Sequence, residues 1–307
     1  MPSAFAIEVT NACNLNCAMC SRRRMKRDVG YMDFSLFKKI LKEIGKYTDF
    51  FWLHELGEPL LHPEIDKFIK YAKKKGIKVG LSTNAVLLNQ EIGDRILNAG
   101  IDKIILALDS ITSDTYSKIR VGGLFDKVVK NIERFIERKK DGKYSSHIIL
   151  QAIQMKENEN EVEDFKRYWK GKGVDEIAIA KLSTWAGQVE EMGYLVEERF
   201  KYRKSLNKRP PCEYLWYSVV ILWDGRVVPC CIDFDAKLCL GDLKRESLRK
   251  IWNGRKIKEL RRSHMKNIFP SICKNCIEYP FTSHFPSLFS MCKNVYFRIR
   301  EFLFKNL

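Results

Sequence analysis

The sequence predicts an α/β fold: six consecutive βα units wound as an open sheet or an incomplete barrel, then a small hairpin-plus-helix domain. Three observations predict it. From Phe5 to Ile179, short apolar runs alternate with amphipathic helical stretches. Gly76, Gly100 and Gly173 each fall just past a helical stretch and just before an apolar run, where a helix wants a left-handed cap. Near Pro210 the alternation gives way to a hairpin signal.

In chain order, the strands expected are Ala4 to Val9, Asp49 to His54, Lys78 to Ser82, Lys103 to Asp109, His147 to Gln154 and Glu176 to Ala180. Between them the 3.6-residue period predicts helices over Phe34 to Tyr47, Pro63 to Lys75, Asn89 to Ala99, Asp126 to Lys139 and Glu161 to Lys170. Parallel strands joined by right-handed crossovers wind in one direction, which gives the sheet or barrel its hand. Past a charged stretch from Gly187 to Pro211, Tyr217 to Trp223 and Arg226 to Cys230 flank Asp224-Gly225, a two-residue turn signal. Helical stretches Ser247 to Asn253 and Arg255 to Met265 follow. The chain thus divides into a core (1–186), a linker (187–209), a second domain (210–280) and a tail (281–307).

With 307 residues, 45% of them hydrophobic and 12% aromatic, the chain can bury a large core, which excludes a disordered protein. No run of about 20 apolar residues spans a membrane, and no charged start precedes an apolar run at Met1 to Ala6. The expected location is therefore the cytoplasm. The formal charge of +17 favours acidic partners, yet no nucleic-acid-binding module accompanies it, so a solvated lysine-rich surface is the expected reading. Ten cysteines bunch at short spacings in a long chain without an export signal, a pattern for metal rather than disulfides.

Cys13, Cys17 and Cys20 follow the first strand on a loop at its carboxyl end, the ligand-binding edge of α/β architectures. Structural zinc wants four ligands, and no fourth Cys or His stands nearby. Three thiolates on a 4Fe-4S cluster leave one iron open to a substrate. Cys-x3-Cys-x2-Cys after a first strand resembles the radical SAM superfamily signature. The resemblance implies a partial (β/α)6 TIM-like barrel, a 4Fe-4S cluster that binds S-adenosyl-L-methionine, and reductive cleavage of that cofactor to a 5'-deoxyadenosyl radical that abstracts a substrate hydrogen.

On the same resemblance, Met19 takes the place of an aromatic residue near the adenine, where a thioether fills the space adaptably. Gly57, Glu58 and Pro59 resemble the family's Gly-Glu-Pro motif, which holds the amino group of the methionine moiety. Ser82 and Asn84 at the end of the third strand, and Asp109 and Ser110 at the end of the fourth, match positions that contact the methionine carboxylate or ribose; helix N-capping is the alternative for these types. Arg120, in Arg-x-Gly-Gly, is expected to pair with the cofactor carboxylate or in a surface salt bridge. Trp185 borders the adenine or the core. His54 and His62 receive no metal assignment, because lone histidines near Pro and Gly satisfy local hydrogen bonds.

Gly225-x4-Cys230 followed by Cys273-x2-Cys276 resembles the SPASM and twitch extensions of the same superfamily. Cys212, Cys230, Cys273 and Cys276 would close one auxiliary 4Fe-4S cluster, with a four-thiolate zinc site left open by spacing and Cys231 competing with Cys230 for one position. An auxiliary cluster implies a destination for a second electron and hence net oxidation of a small molecule or sugar. Asp233, Asp235 and Cys231 are the candidate bases. The alternatives are a maturase acting on a ribosomal peptide and, from another class, a non-catalytic iron-sulfur electron carrier. An acidic ferredoxin or flavodoxin is the expected donor, with Arg22-Arg23-Arg24, Lys26 and Arg27 as its landing site or as a solvated loop. The basic, apolar-striped tail from Pro286 to Leu307 docks on its own domain, a membrane surface or a second copy.

Overall fold

The computed structural model describes residues 1–195 and 210–276, so the tail expected over 281–307 and much of the linker expected over 187–209 lie outside the described residues. Each βα unit forms where the apolar period changes from two to 3.6. The strands are β1 (Ala4–Ile7), β2 (Phe50–Trp52), β3 (Lys78–Thr83), β4 (Lys103–Ala107), β5 (His147–Gln154) and β6 (Glu176–Lys181). Helices α1 (Phe34–Ile44), α2 (Ile65–Lys74), α3 (Gln90–Asn98), α4 (Ser113–Ile119), α5 (Phe125–Asp141) and α6 (Val162–Trp169) connect them. All six strands run parallel in chain order, the arrangement of a partial TIM-like barrel.

Strand alternation divides the sheet into two faces. Ile7, Phe51, Leu81, Ile104 and Leu150 point outward to the helices in the main core, where the tilted rings of Phe37 and Phe68 meet at 4.4 Å. Ala6, Trp52, Ile105 and Val220 form a separate inner cluster. Gly76 and Gly100 lie in the left-handed region at φ 73° and 83°, and close α2 and α3 as expected. Gly173 is left-handed too (φ 92°) but lies four residues beyond α6, so it turns the connection rather than capping the helix.

After α7 (Met192–Leu195) and α8 (Tyr214–Tyr217) come β7 (Ser218–Ile221), β8 (Arg226–Val228) and β9 (Gly241–Asp242), then α9 (Leu248–Trp252), α10 (Arg255–Met265) and α11 (Ser271–Lys274). The hairpin differs from the two-residue expectation. Leu222 N–H donates to the Arg226 carbonyl and Gly225 N–H to the Leu222 carbonyl, so Trp223, Asp224 and left-handed Gly225 form a three-residue loop. β7 pairs parallel with β1 over four residues, and one nine-stranded sheet runs β6-β5-β4-β3-β2-β1-β7-β8-β9. Among the described residues, no helix is long and apolar enough to cross a membrane.

Candidate active site

The first cysteine loop leaves β1 at its carboxyl end and is sewn to the Arg-x-Gly-Gly segment by its backbone. Asn16 N–H donates to the Val121 carbonyl at 2.9 Å and Ala18 N–H to the Ile119 carbonyl at 2.9 Å. Arg120, between those two acceptors, turns inward. Its Nε donates to Asp109 Oδ2 at 2.5 Å and its Nη1 lies 3.7 Å from Cys17 Sγ. Asp109 holds a left-handed backbone (φ 72°), accepts the Ile153 amide, and offers its carbonyl to Asn158. Asn84 Nδ2 stands 3.9 Å from Cys13 Sγ and 2.9 Å from Asn14 Oδ1. Burial pushes the Cys13 thiol up and the Cys20 thiol up to about 11, the direction a bound cation reverses.

Gly57, at φ 85°, lies against the base of this loop; a Cβ there would meet Thr10 O at 2.5 Å and Ala12 O at 2.8 Å. Only glycine permits that approach. Glu58 follows, its N–H bonded to the Ala12 carbonyl and its carboxylate accepting the amides of Leu60 (3.0 Å) and Asn84 (2.8 Å). Burial raises the Glu58 pKa, and those amides pull it back. Pro59 starts the short turn after it. Ser82 lies on the inner face of β3, and Ser110 Oγ donates to the Thr112 carbonyl. The caps of α3 and α4 are Asn89 and Thr112, so neither Ser82-Thr83-Asn84 nor Asp109-Ser110 supplies them.

Above the barrel mouth, the segment after Cys231 folds onto the first cysteine loop. Phe234 joins Met19, Leu56 and Cys17 in one apolar cluster and meets Trp185 edge-on at 5.9 Å. Trp185 Nε1 donates to the Met19 carbonyl at 3.1 Å. Arg27, from the basic run, is buried in a bidentate ion pair with Glu8 and donates to the Phe234 carbonyl. Arg22 bonds Leu15 O and Arg24 pairs with Glu191, which leaves Arg23 and Lys26 as exposed cations whose side chains form no ion pair among the described residues. Asp233 accepts the Lys237 and Leu238 amides, and Asp235 the Lys26 amide.

Sequence reasoning missed Glu55 and misjudged His54. Glu55 is half-buried and accepts no hydrogen bond from the described residues; burial, with Glu8 and Asp233 adding to it and Arg27 opposing, raises its pKa to about 8. His62 satisfies both ring nitrogens locally, on Met32 O and the Glu64 amide. His54 does not: its Nδ1 is buried without a partner, and burial lowers its pKa to about 4. The signal lay in strand alternation, which carries the inner face from Phe50 and Trp52 to position 54.

The second set meets as a cavity. Cys212, Cys230, Cys273 and Cys276 line it together with Tyr214, Pro229, Ile232 and His264, and Cys231 lies outside the lining. Strand β8 ends at Val228, so a turn and not strand alternation separates Cys230 from Cys231. Burial raises the Cys230 thiol strongly, and Cys231, Cys212, Cys273 and Cys276 add to it.

A family model described as the radical SAM superfamily matches residues 7–168. This chain belongs to the radical SAM superfamily. A second model, an iron-sulfur cluster-binding SPASM domain, matches residues 212–277. The radical SAM chain is 26% identical over 309 residues to a tungsten-containing aldehyde ferredoxin oxidoreductase cofactor-modifying protein of Pyrococcus furiosus, covering 88% of this chain and 86% of that one. Several further curated relatives, among them probable GTP 3',8-cyclases of Methanococcus maripaludis, match over less than half of their own length. Among solved structures, BtrN in complex with AdoMet and 2-DOIA aligns with TM-score 0.60 at 18% identity, over 90% of this chain and 93% of that one. Streptococcus suis SuiB bound to precursor peptide SuiA aligns with TM-score 0.67 at 15% identity, over 86% and 67%. At these identities the likeness is one of fold.

The radical SAM enzyme binds S-adenosylmethionine and a 4Fe-4S cluster in its core, and its SPASM domain binds auxiliary iron-sulfur. The residues fit. Three thiols on one partly buried loop, with an amide and a guanidinium beside two of them, suit a cluster short of one ligand. Four thiols around one cavity suit a fully ligated one.

Proposed function

We propose that this enzyme oxidises a small organic molecule or sugar, with Cys13, Cys17 and Cys20 holding the S-adenosylmethionine cluster and Cys212, Cys230, Cys273 and Cys276 holding one auxiliary cluster. When bound, the first cluster and its cofactor supply a 5'-deoxyadenosyl radical, and the second supplies an acceptor for one electron. The chain's own residues do the remaining work. Glu58 offers carboxylate acceptors to the cofactor's ammonium group, with Gly57 and Pro59 setting the loop close. Asn84, Ser82, Ser110 and the Arg120–Asp109 pair would hold its carboxylate and ribose, and Met19 would pack against its adenine.

One observation carries this reading: the segment that follows Cys230 and Cys231 packs through Phe234 on Met19 and Leu56, which brings the chain next to the second cysteine set onto the first cysteine loop. The Pyrococcus furiosus relative, named for modifying a cofactor, supports a small-molecule substrate. A peptide substrate is the second reading, favoured by the fold shared with SuiB in its precursor-peptide complex.

Anaerobic reconstitution with S-adenosylmethionine and dithionite tests the proposal. The expected products are 5'-deoxyadenosine and methionine, both abolished by C17A. Failure of the wild-type protein to form 5'-deoxyadenosine would mark it as an electron carrier. C230S is expected to lose one cluster's iron and C231S none; the reverse result moves the ligand to Cys231.

A further inference from the structure

The charged groups at the barrel mouth pair off almost completely. Glu8 is bound by Arg27, Asp109 by Arg120, and Asp233 by two backbone amides. Glu55 feels the charge of Arg27 but is not bonded by it: it is half-buried, two residues before Gly57, and without a hydrogen bond from the described residues. His54, its neighbour, is 9% exposed and its Nδ1 has no partner. The His54 ring meets Trp52 edge-on at 5.2 Å, on the same inner face as the Trp52 that packs with Ala6 and Ile105. Ser82 and Gln151 face the same interior and form no side-chain hydrogen bond among the described residues.

We propose that His54 and Glu55 form the subsite for a hydroxyl group of a neutral polyhydroxylated substrate, with Glu55 as the proton acceptor in its oxidation. The subsite rests on the function proposed above. A buried polar nitrogen without a partner is unfavourable by itself, and a hydroxyl supplies what it lacks. A free anion-binding cation is missing from this group of residues because both guanidiniums are already paired, which selects against carboxylate and phosphate ligands. Apolar ligands would strand the carboxyl and the imidazole together. The raised pKa of Glu55 suits a base working near neutrality. In the step itself, the CH–OH carbon gives a hydrogen atom to the 5'-deoxyadenosyl radical and the oxygen gives its proton to Glu55. The auxiliary cluster takes the remaining electron, and a carbonyl forms.

Perdeuterated myo-inositol is the probe, because every ring carbon carries both deuterium and a hydroxyl. The reconstituted full chain is incubated with S-adenosylmethionine, dithionite and the probe, and the deuterated fraction of 5'-deoxyadenosine is read by mass spectrometry. The wild-type fraction is expected to rise saturably with probe concentration, to fall at least tenfold in E55Q, and to lie between the two in E55D. Absence of label in wild-type product overturns the subsite, as does wild-type labelling in E55Q. Loss of all 5'-deoxyadenosine in both variants, with iron retained, reassigns Glu55 to the cofactor and also overturns it. No 5'-deoxyadenosine from the wild type strikes instead at the underlying function.

Discussion

His54 and Glu55 are adjacent in sequence, yet burial drives their protonation in opposite energetic senses. Glu55 moves from 4.5 to about 8, so between those values the folded chain keeps a proton that the unfolded chain has released, and stability falls as pH rises. His54 moves from 6.5 to about 4, so the unfolded chain holds the extra proton there and stability rises with pH across that window. From about pH 4.5 to 6.5 the two slopes oppose; from 6.5 to 8 only Glu55 acts, with a slope of at most about 1.4 kcal/mol per pH unit. The melting temperature of the holoenzyme is expected to decline from pH 6.5 to 8, and that of E55Q to stay flatter. Parallel curves for the two proteins would show that Glu55 titrates as an ordinary surface carboxyl. Neither residue announces itself in the sequence, because a Glu in a loop is common and its isolation depends on Arg27 having been taken by Glu8. The family was legible in Cys13, Cys17 and Cys20 for the contrary reason: their spacing is read without any tertiary context.

Backbone bonds help to hold the loops at the strand ends, among them Asn16 N–H to the Val121 carbonyl and Glu58 N–H to the Ala12 carbonyl. Replacing Gly57 with alanine combines a left-handed L-residue, about 1–2 kcal/mol by itself, with a Cβ 2.5 Å from the Thr10 carbonyl oxygen. The loop must retreat, taking Glu58 off the Ala12 carbonyl. G57A is expected to bind S-adenosylmethionine at least tenfold more weakly by equilibrium dialysis, while the auxiliary cluster retains its iron. Affinity equal to wild type would mean that the close approach does not position Glu58. Strands and long helices were legible to within a few residues because their apolar period is strong. Helix α4 was not, since its buried face is Thr115, Tyr116 and Ile119 and its start is fixed by Thr112 and by Glu161 from a distant turn. The hairpin was legible as a turn but not in its length, because a left-handed Gly225 serves a three-residue loop as readily as a two-residue one.

At the scale of the molecule, the six parallel strands were legible from their repeat, but the continuity of the sheet was not. Turn chemistry reports that β7 meets β8, whereas the pairing of β7 with β1 joins segments far apart in the chain and leaves no local trace. The consequence is energetic. Phe5 and Ile7 share the main core with Val219, Ile221, Leu248 and Ile257, all fully or almost fully buried. Cutting the chain after residue 209 would strip β1 of its neighbour, expose a row of unpaired backbone groups, and open one side of the core to water. It would also remove the Phe234 carbonyl from Arg27 and the Phe234 ring from Met19. A chain of residues 1–209 is therefore expected to aggregate on expression and to lose the near-ultraviolet circular dichroism of a packed core. A monomeric fragment that melts cooperatively near the full-length temperature would show instead that the barrel folds by itself and that β7 merely rests on its edge.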